Sequence, residues 1–442
     1  MGGYTHANAW QANKILHDVY SYDFTSSYPA VMITEQFPMS KSVKVTDDVT
    51  AANIDEYMEK YCCLFDVCFV DIYSIFDHDQ YISASRCWGK EKCVVNNGRL
   101  TSGHIIYTTL TEQDYMIIRS TYKWRHMYIS NFRYYLKNYL PTDFVKSILH
   151  LYVKKTELKN VKGKEVEYLY YKELLNSCYG MSVTDIIRAS HPYDDNQNEW
   201  GNDLIPDLEK EITKYNKSAS RFLYYPWGVW VTAYARRNLW SGILSIGEDY
   251  VYSDTDSVKI LNRDKHLNYF VDYNKTIDQM MHAALDYHNI DFKWSRPKTI
   301  KGIEKPLGHW DYEGKYTRFK TLGAKRYMTE TYDGVSITTA GLNKNIAAPY
   351  ICRDWNYSTQ DRKEHNSPFD RYAHNMYIPA EHTGKNTHTY IDYEVSGTVT
   401  DYLGTPAEYD EQSCIHLEAA PYDLSLSQEY YEYLIGMEPV EK

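Results

Sequence analysis

Two carboxylates two residues apart, Asp254 and Asp256, sit inside Tyr250–Leu261, which reads YVYSDTDSVKIL. β-Branched and aromatic runs flank Ser253-Asp254-Thr255-Asp256, the pattern of a tight hairpin with acids at its tip, and Ser257 follows directly. Acids crowded there repel each other unless a cation lies between them, and oxygen-only ligands suit a hard ion such as Mg²⁺. A solvated, Asp-rich turn has the same sequence, so the rest of the chain must decide. A third acid, Asp23, ends the strand-like run Val19-Tyr20-Ser21-Tyr22, and a turn and a short helix held by Pro29 follow. That arrangement presents a metal ligand beside backbone N–H groups, although capping a helix is the plainer role for such an aspartate.

A different chemistry is written between Glu165 and Tyr179. Lys172, Asn176 and Tyr179 lie at i, i+4 and i+7, so a helix there carries all three on one face. A preceding helix through Phe144, Ile148, Leu151 and Tyr152, capped by Thr142 or Asp143, brings Lys154, Lys155 and Lys159 toward a break at Lys162-Gly163-Lys164. Two antiparallel helices exposing Lys, Asn and Tyr suit a triphosphate and a base; a surface helix with a solvated lysine and a packed tyrosine is the alternative.

The elements that would position these groups are mixed. Strands are expected at Leu64–Tyr73, Tyr81–Ser85, Ile105–Leu110 and Tyr115–Ile118, with a short helix at 54–60 and a helical element within Lys123–Leu140. After a polar stretch at 185–220, a helix follows Pro226 and carries Arg236 and Arg237. Beyond the hairpin come an amphipathic helix over Val271–Tyr287 and strands at 308–312, 316–320 and 324–330. The last strand would place Lys325 and Tyr327 on one face, and a further hairpin is expected around Gly384-Lys385-Asn386.

With 442 residues, 43% hydrophobic and 24% charged, the chain is long enough for a large core or several domains and is not disordered. The net charge of −11 argues against a protein that coats nucleic acid non-specifically, while leaving room for a local basic channel. The 46 tyrosines and 10 tryptophans supply side chains able to stack on bases. Eight cysteines form no CxxC pair, so neither a disulfide framework nor a zinc module is expected. No signal peptide and no apolar run near a membrane-spanning length is present, so the expectation is a cytoplasmic protein with no membrane partner.

Four patterns in order then resemble the family B DNA polymerases. Asp23-Phe24-Thr25-Ser26-Ser27-Tyr28-Pro29 looks like their first palm motif. Lys172 through Gly180, with Asn176-Ser177-Cys178-Tyr179-Gly180, looks like their fingers motif. Tyr252 through Ser257 matches the Asp-Thr-Asp-Ser motif, and Lys325-Arg326-Tyr327 resembles the Lys-x-Tyr motif that contacts the primer terminus. The interval lengths look like those of protein-primed phage and organellar members, and Gly2-Gly3 resembles the end of their Tyr-x-Gly-Gly motif.

The resemblance implies an α+β right-hand fold of palm, fingers and thumb with two insertions. Its domains would be palm at 1–40 and 226–348, insertions at 41–140 (with palm strands) and 181–225, fingers at 141–180, and thumb at 349–442. It implies DNA-directed DNA synthesis with two Mg²⁺ ions, Mn²⁺ being able to substitute, on a primed template with dNTPs. Asp23, Asp254, Asp256 and the Phe24 carbonyl would hold metal, and Lys172 would act on the triphosphate, with Lys155 beside it. Tyr28 would lie under the sugar, Asn176 and Tyr179 along the nascent pair, and Ser177, Gly180, Thr255, Lys325 and Tyr327 against DNA. No exonuclease domain fits in the 22 residues before Asp23, so a polymerase half or a fragment is expected, with a separate exonuclease subunit and a terminal protein as candidate partners. A non-catalytic palm-containing replication subunit is the alternative; the presence of all the expected carboxylates weighs against it. Reverse transcriptase motifs pair adjacent aspartates, and here Thr255 intervenes.

Overall fold

The computed structural model describes residues 2–46, 48–184, 193–194, 199–200, 207–219, 222–353, 367–400 and 406–436. Two compact units share the chain. One comprises Met1–Val183, Leu223–Gly334 and Leu426–Lys442, the other Thr184–Phe222 and Val335–Ser425.

The first unit is organised by an antiparallel sheet whose strands run Thr5–Ala7, Tyr250–Asp254, Ser257–Ile260, Leu16–Phe24, Trp310–Gly323 and Arg326–Thr331 in spatial order. Period-2 alternation gives its central strands two chemically distinct faces. Tyr22 and Phe24, Val258 and Ile260, and Trp310 all enter one core with Leu239, Trp240, Ile243 and Phe270, from the helices Tyr225–Ile246 and Arg263–Tyr287. Phe24 stacks on Trp310 at 3.6 Å and Tyr22 on Phe270 at 3.8 Å. The intervening residues, Ser21, Asp23, Ser257, Lys259, Asp311 and Glu313, are polar, and they belong to the opposite face.

Helix Ser27–Thr34 begins three residues after the strand that carries Asp23, and its residues are apolar on all sides. A short helix of that composition must be enclosed, and Ala30, Val31, Met32 and Ile33 are buried with Val145, Ile148, Tyr152, Leu175 and Trp230. Those partners bring in the antiparallel helices Thr142–Leu158 and Glu165–Gly180. The residue before the first of these is Pro141, which makes no side-chain cap, so neither Thr142 nor Asp143 is the cap; both lie in the first turn. Gly163, at φ 80°, turns the chain between the two helices.

A second sheet, ordered Phe37–Pro38, His126–Asn138, Tyr61–Ser74, Arg99–Thr111 and Cys87–Glu91, buries Phe65, Val67, Phe69, Ile106, Leu110 and Phe132 on one face. Three expectations fail here. Tyr115–Ile118 is helical, within Glu112–Thr121, because Thr111 caps it by accepting from the Asp114 N–H. The Lys123–Leu140 segment is largely strand, since residues 126–136 pair in antiparallel register with residues 61–70, interrupted by a shift between Ser130 and Arg133. Tyr81–Ser85 makes only an isolated bridge, Ser83 to Arg99, before a 3₁₀ turn. The two strands expected at 308–312 and 316–320 are one, bent by a register shift between Tyr312 and Gly314.

In the second unit, Thr387–Thr400 pairs with Pro406–Glu418. Gly384-Lys385-Asn386 precede that pair, so they are not its turn, and the connecting residues 401–405 lie outside the described residues. The unit boundaries also differ from the expected domains, since Leu426–Lys442 separate from the rest of 349–442. Tyr433 donates to the Asp77 carbonyl, and Tyr430 packs against Gly323, which accounts for that return to the first unit. Among the described residues no helix is long and apolar enough to cross a membrane.

Helix Tyr225–Ile246 is held to helix Glu112–Thr121 by a buried ion pair. Arg236 Nη2 lies 2.7 Å from Asp114 Oδ1, its Nε donates to the Tyr81 hydroxyl at 2.9 Å, and its Nη1 to the Gly2 carbonyl at 3.0 Å. Replacing one member of such a pair leaves a buried charge uncompensated. Arg236→Met is expected to lower unfolding free energy by about 3–5 kcal/mol in urea titration; a loss below about 1 kcal/mol contradicts this role.

Candidate active site

The hairpin forms as expected, with Asp254 opposite Ser257 and Thr255-Asp256 as its turn. Thr255 takes φ 60°, a conformation that costs a β-branched residue energy and needs outside support. Its N–H donates to the Tyr4 carbonyl at 2.8 Å. A Cβ on Gly3 would come within 2.7 Å of the Thr255 side chain, so glycine is required for this approach. On the other side, the Phe24 N–H donates to the Asp256 carbonyl at 2.8 Å, and Ser257 and Asp311 stand in register with Asp23 on either side. Backbone pairing therefore brings together two acids 233 positions apart in the chain (256 − 23).

Asp23 and Asp256 line a cavity of about 480 Å³ with Phe24, Tyr28, Lys155, Lys159, Lys172, Asn176 and Tyr179. The acids, with Asp311 and Glu313, come from the sheet, and Lys155, Lys159 and Lys172 from the two antiparallel helices and the end of the first, so the cavity is bipolar. Burial, the Asp256 charge and then Glu313 push Asp23 up to about 8. Burial and then Asp254 push Asp256 up to about 6. Lys155, drawn down to about 8 by burial and by Lys159 and Lys172, donates to Ser26 Oγ at 2.7 Å. Lys172 and Asn176 are exposed. Tyr28 meets Tyr179 edge-on at 4.9 Å, and burial followed by that neighbour raises its hydroxyl to about 12.

Asp254 is absent from this cavity but lines an adjoining groove together with Asp23, Asp256, Glu313, Lys259 and Tyr327; its Oδ1 accepts from the hydroxyls of Thr5 at 2.8 Å and Thr255 at 3.2 Å. Among the described residues no three His, Cys, Asp or Glu side chains converge as a metal-holding group. Ser177 and Gly180 are not among the lining residues, and Ser177 Oγ is turned to the Glu173 carbonyl at 2.8 Å. Lys325 precedes the strand Arg326–Thr331 in a left-handed turn (φ 54°), so it does not share a strand face with Tyr327. Its N–H donates to the Tyr252 hydroxyl at 3.0 Å, and Tyr327 packs on that ring at 5.0 Å.

Sequence reasoning missed a polar layer beneath the acids. Lys259 Nζ donates to Ser21 Oγ at 2.7 Å, and Ser21 donates to Glu313 Oε2 at 3.0 Å. Lys305 pairs with Asp311 at the rim. The signal was present: Lys259 and Glu313 interrupt strands at positions whose neighbours are apolar or aromatic. Thr25 was also passed over. Its N–H donates to the His309 carbonyl at 2.9 Å, and its carbonyl accepts from the Gly308 N–H at 2.9 Å, clamping the turn after Asp23.

The description "DNA polymerase type B, organellar and viral" matches residues 1–258. The DNA polymerases of Bacillus phages phi29 and PZA are each 22% identical over 336 residues, 75% of this chain and 48% and 49% of those proteins. The chain thus spans about half the length of these curated relatives. A solved structure of phi29 DNA polymerase complexed with primer-template DNA and incoming nucleotide substrates superposes with a TM-score of 0.59 at 16% identity. That match covers 96% of this chain and 61% of the other. The fold is the right-hand, α+β architecture expected from sequence.

The raised acids set a pH dependence. A carboxyl whose folded pKa exceeds its unfolded value favours the folded state when protonated, so stability is present at low pH and is lost as pH rises through about 8. In chelator, the melting temperature of the wild type relative to Asp23→Asn is expected to fall by roughly 2–5 °C between pH 5 and 8. Parallel profiles would remove the charge repulsion from the account.

Proposed function

The chain belongs to the organellar and viral type B DNA polymerases, and we propose that its cavity adds deoxynucleoside monophosphates to a primer 3′-OH on a DNA template. The observation that carries this reading is the meeting of Asp23 and Asp256, from strands far apart in sequence, opposite Lys155, Lys159 and Lys172. Acids on one wall and ammonium groups on the other match a polyphosphate with its counter-ions.

Two largely buried acids, each raised by burial and by a neighbouring carboxylate, are a donor set suited to a hard divalent cation, with Mg²⁺ the expected ion. Asp311, paired with Lys305, and Glu313, which accepts from Ser21, also line the cavity; beyond Asp23 and Asp256, ligands would come from the Phe24 carbonyl, water and substrate phosphates, as is usual for Mg²⁺. Bound there, divalent cations supply charge neutralisation and lower the pKa of the attacking hydroxyl. The adjacent Asp254, held by Thr5 and Thr255, acts through the turn and through its charge on Asp256.

Lys172 and Lys159 meet the β- and γ-phosphates, and Lys155, anchored on Ser26, stands nearest the acids and stabilises charge as pyrophosphate leaves. Lys172 is the side chain on that wall proposed to donate toward the leaving oxygen. Tyr28, braced by Tyr179, forms the floor beneath the sugar, where a 2′-OH would collide with the ring. Asn176 borders the nascent base pair, while Thr255 and Tyr327 face the primer side along the adjoining groove. In this assignment the first sheet is the palm and the helices Thr142–Leu158 and Glu165–Gly180 are the fingers. A terminal protein would supply a priming hydroxyl in place of a DNA end.

Primer extension with Mg²⁺ and dNTPs tests the assignment. Asp23→Asn and Asp256→Asn are each expected to slow extension by at least ~10³-fold while the protein still melts cooperatively; extension at the wild-type rate by either variant would falsify it. Tyr28→Ala is expected to raise ribonucleotide use relative to dNTP use by about tenfold or more, read from kcat/KM ratios. An unchanged ratio in an active variant removes Tyr28 from sugar selection.

A further inference from the structure

Strand alternation ordinarily leaves the outer face of a half-buried sheet to polar residues. The outer face of the second sheet carries Trp88, Tyr107 and Tyr128, which are 46%, 37% and 62% exposed. Tyr128 pairs with Cys68, Cys68 with Tyr107 and Tyr107 with Trp88. Directly paired residues stand on the same face, so these four form one row across four strands, about 14 Å long at ~4.8 Å per strand. The Trp88 and Tyr107 rings are nearly parallel, at 22°, with centroids 6.2 Å apart. Gly89 makes this possible: at φ 55°, a Cβ there would lie 2.6 Å from Tyr107 Cδ2.

Two arginines border the row. Arg133, in register with Leu64, shares the face, and Arg86 lies at the entry to the Trp88 strand. Both are exposed, and among the described residues neither guanidinium has an ion-pair partner. Of the acids on that face, Asp66 is occupied by donors from Thr109 at 2.6 Å and Asn131 at 2.7 Å, while Glu91, in register with Ile105 at the outer end of the row, is exposed. At the Trp88 end opens a second cavity of about 480 Å³, lined also by Arg86, Thr109 and Tyr225. None of these residues lines the cavity of Asp23 and Asp256.

We propose that this face is a second nucleic-acid site, which takes single-stranded DNA by stacking bases on the ring row and seating phosphates on Arg86 and Arg133. Every base has a π-face, so such a platform tolerates any sequence, and only an unpaired strand can offer its faces. Arginine beside the rings adds attraction for both phosphate and base. A protein partner would need a closed apolar patch; here the row is bordered on its own face by Asp66, Thr109 and Arg133.

The test titrates the full chain into a fluorescent, 3′-blocked oligothymidylate of about 12 nucleotides, within the site sizes of such platforms. No nucleotide or divalent ion is present, so the outcome is independent of the nucleotidyl-transfer reading. Trp88→Ala and Tyr128→Ala are each expected to weaken binding about tenfold, Trp88→Phe to retain most of it, and Arg86→Gln to reduce the salt slope by about one. Should Trp88→Ala melt differently from wild type, Tyr128→Ala alone decides, because its side chain is the most exposed of the three. Affinities within about twofold of wild type across the variants overturn the proposal. So does a variant that loses self-association in sedimentation while keeping its oligonucleotide affinity, which would make the row a contact between protein copies.

Discussion

Antiparallel pairing of Ser257–Ile260 with Leu16–Phe24, closed at its end by the bond from the Phe24 N–H to the Asp256 carbonyl, fixes the relation between two strands that the chain makes far apart. It holds Asp23 beside Asp256, whose charge, after burial, disfavours ionisation of Asp23. Everything else in the first unit serves that placement. Aromatic stacking of Phe24 on Trp310 and of Tyr22 on Phe270 anchors the apolar side of the same strands, so the polar side cannot rotate away. The enclosed helix after Asp23 and the Thr25 clamp then hold the turn from behind.

The repulsion stored there is partly balanced from below. Lys259, itself largely buried, reaches Ser21, and Glu313 shares that hydroxyl. The pull of Lys259 and Lys155 on Asp23 is outweighed by burial and by the neighbouring acids. The site is therefore preorganised for positive charge without being neutral in its absence, an arrangement that favours electrostatic work over structural stability.

What the sequence made legible was local. The hairpin at 250–260, the strand ending in Asp23 and the face shared by Lys172, Asn176 and Tyr179 depend on short patterns, and each formed. What it hid depended on partners. Tyr115–Ile118 reads as a strand until Thr111 is seen as a cap, and Lys123–Leu140 reads as a helix until Tyr61–Ser74 is there to pair with it. Asp254 and Asp256 are equivalent on paper; only the hydroxyls of Thr5 and Thr255 distinguish them. The left-handed turn at Lys325 is likewise invisible in Lys-Arg-Tyr, because the Tyr252 hydroxyl that receives its N–H is 73 residues away.

The depressed pKa of Lys155 has a meaning for covalent reagents. An amine drawn down to about 8 is free base in appreciable fraction near neutrality, whereas an ordinary surface lysine is almost wholly protonated. Acylating or aldehyde probes that gain entry to the cavity should therefore react with this side chain. A bound polyanion would both cover it and drive it back to the ammonium form, so the same residue that holds charge in place reports, by its reactivity, whether the cavity is filled.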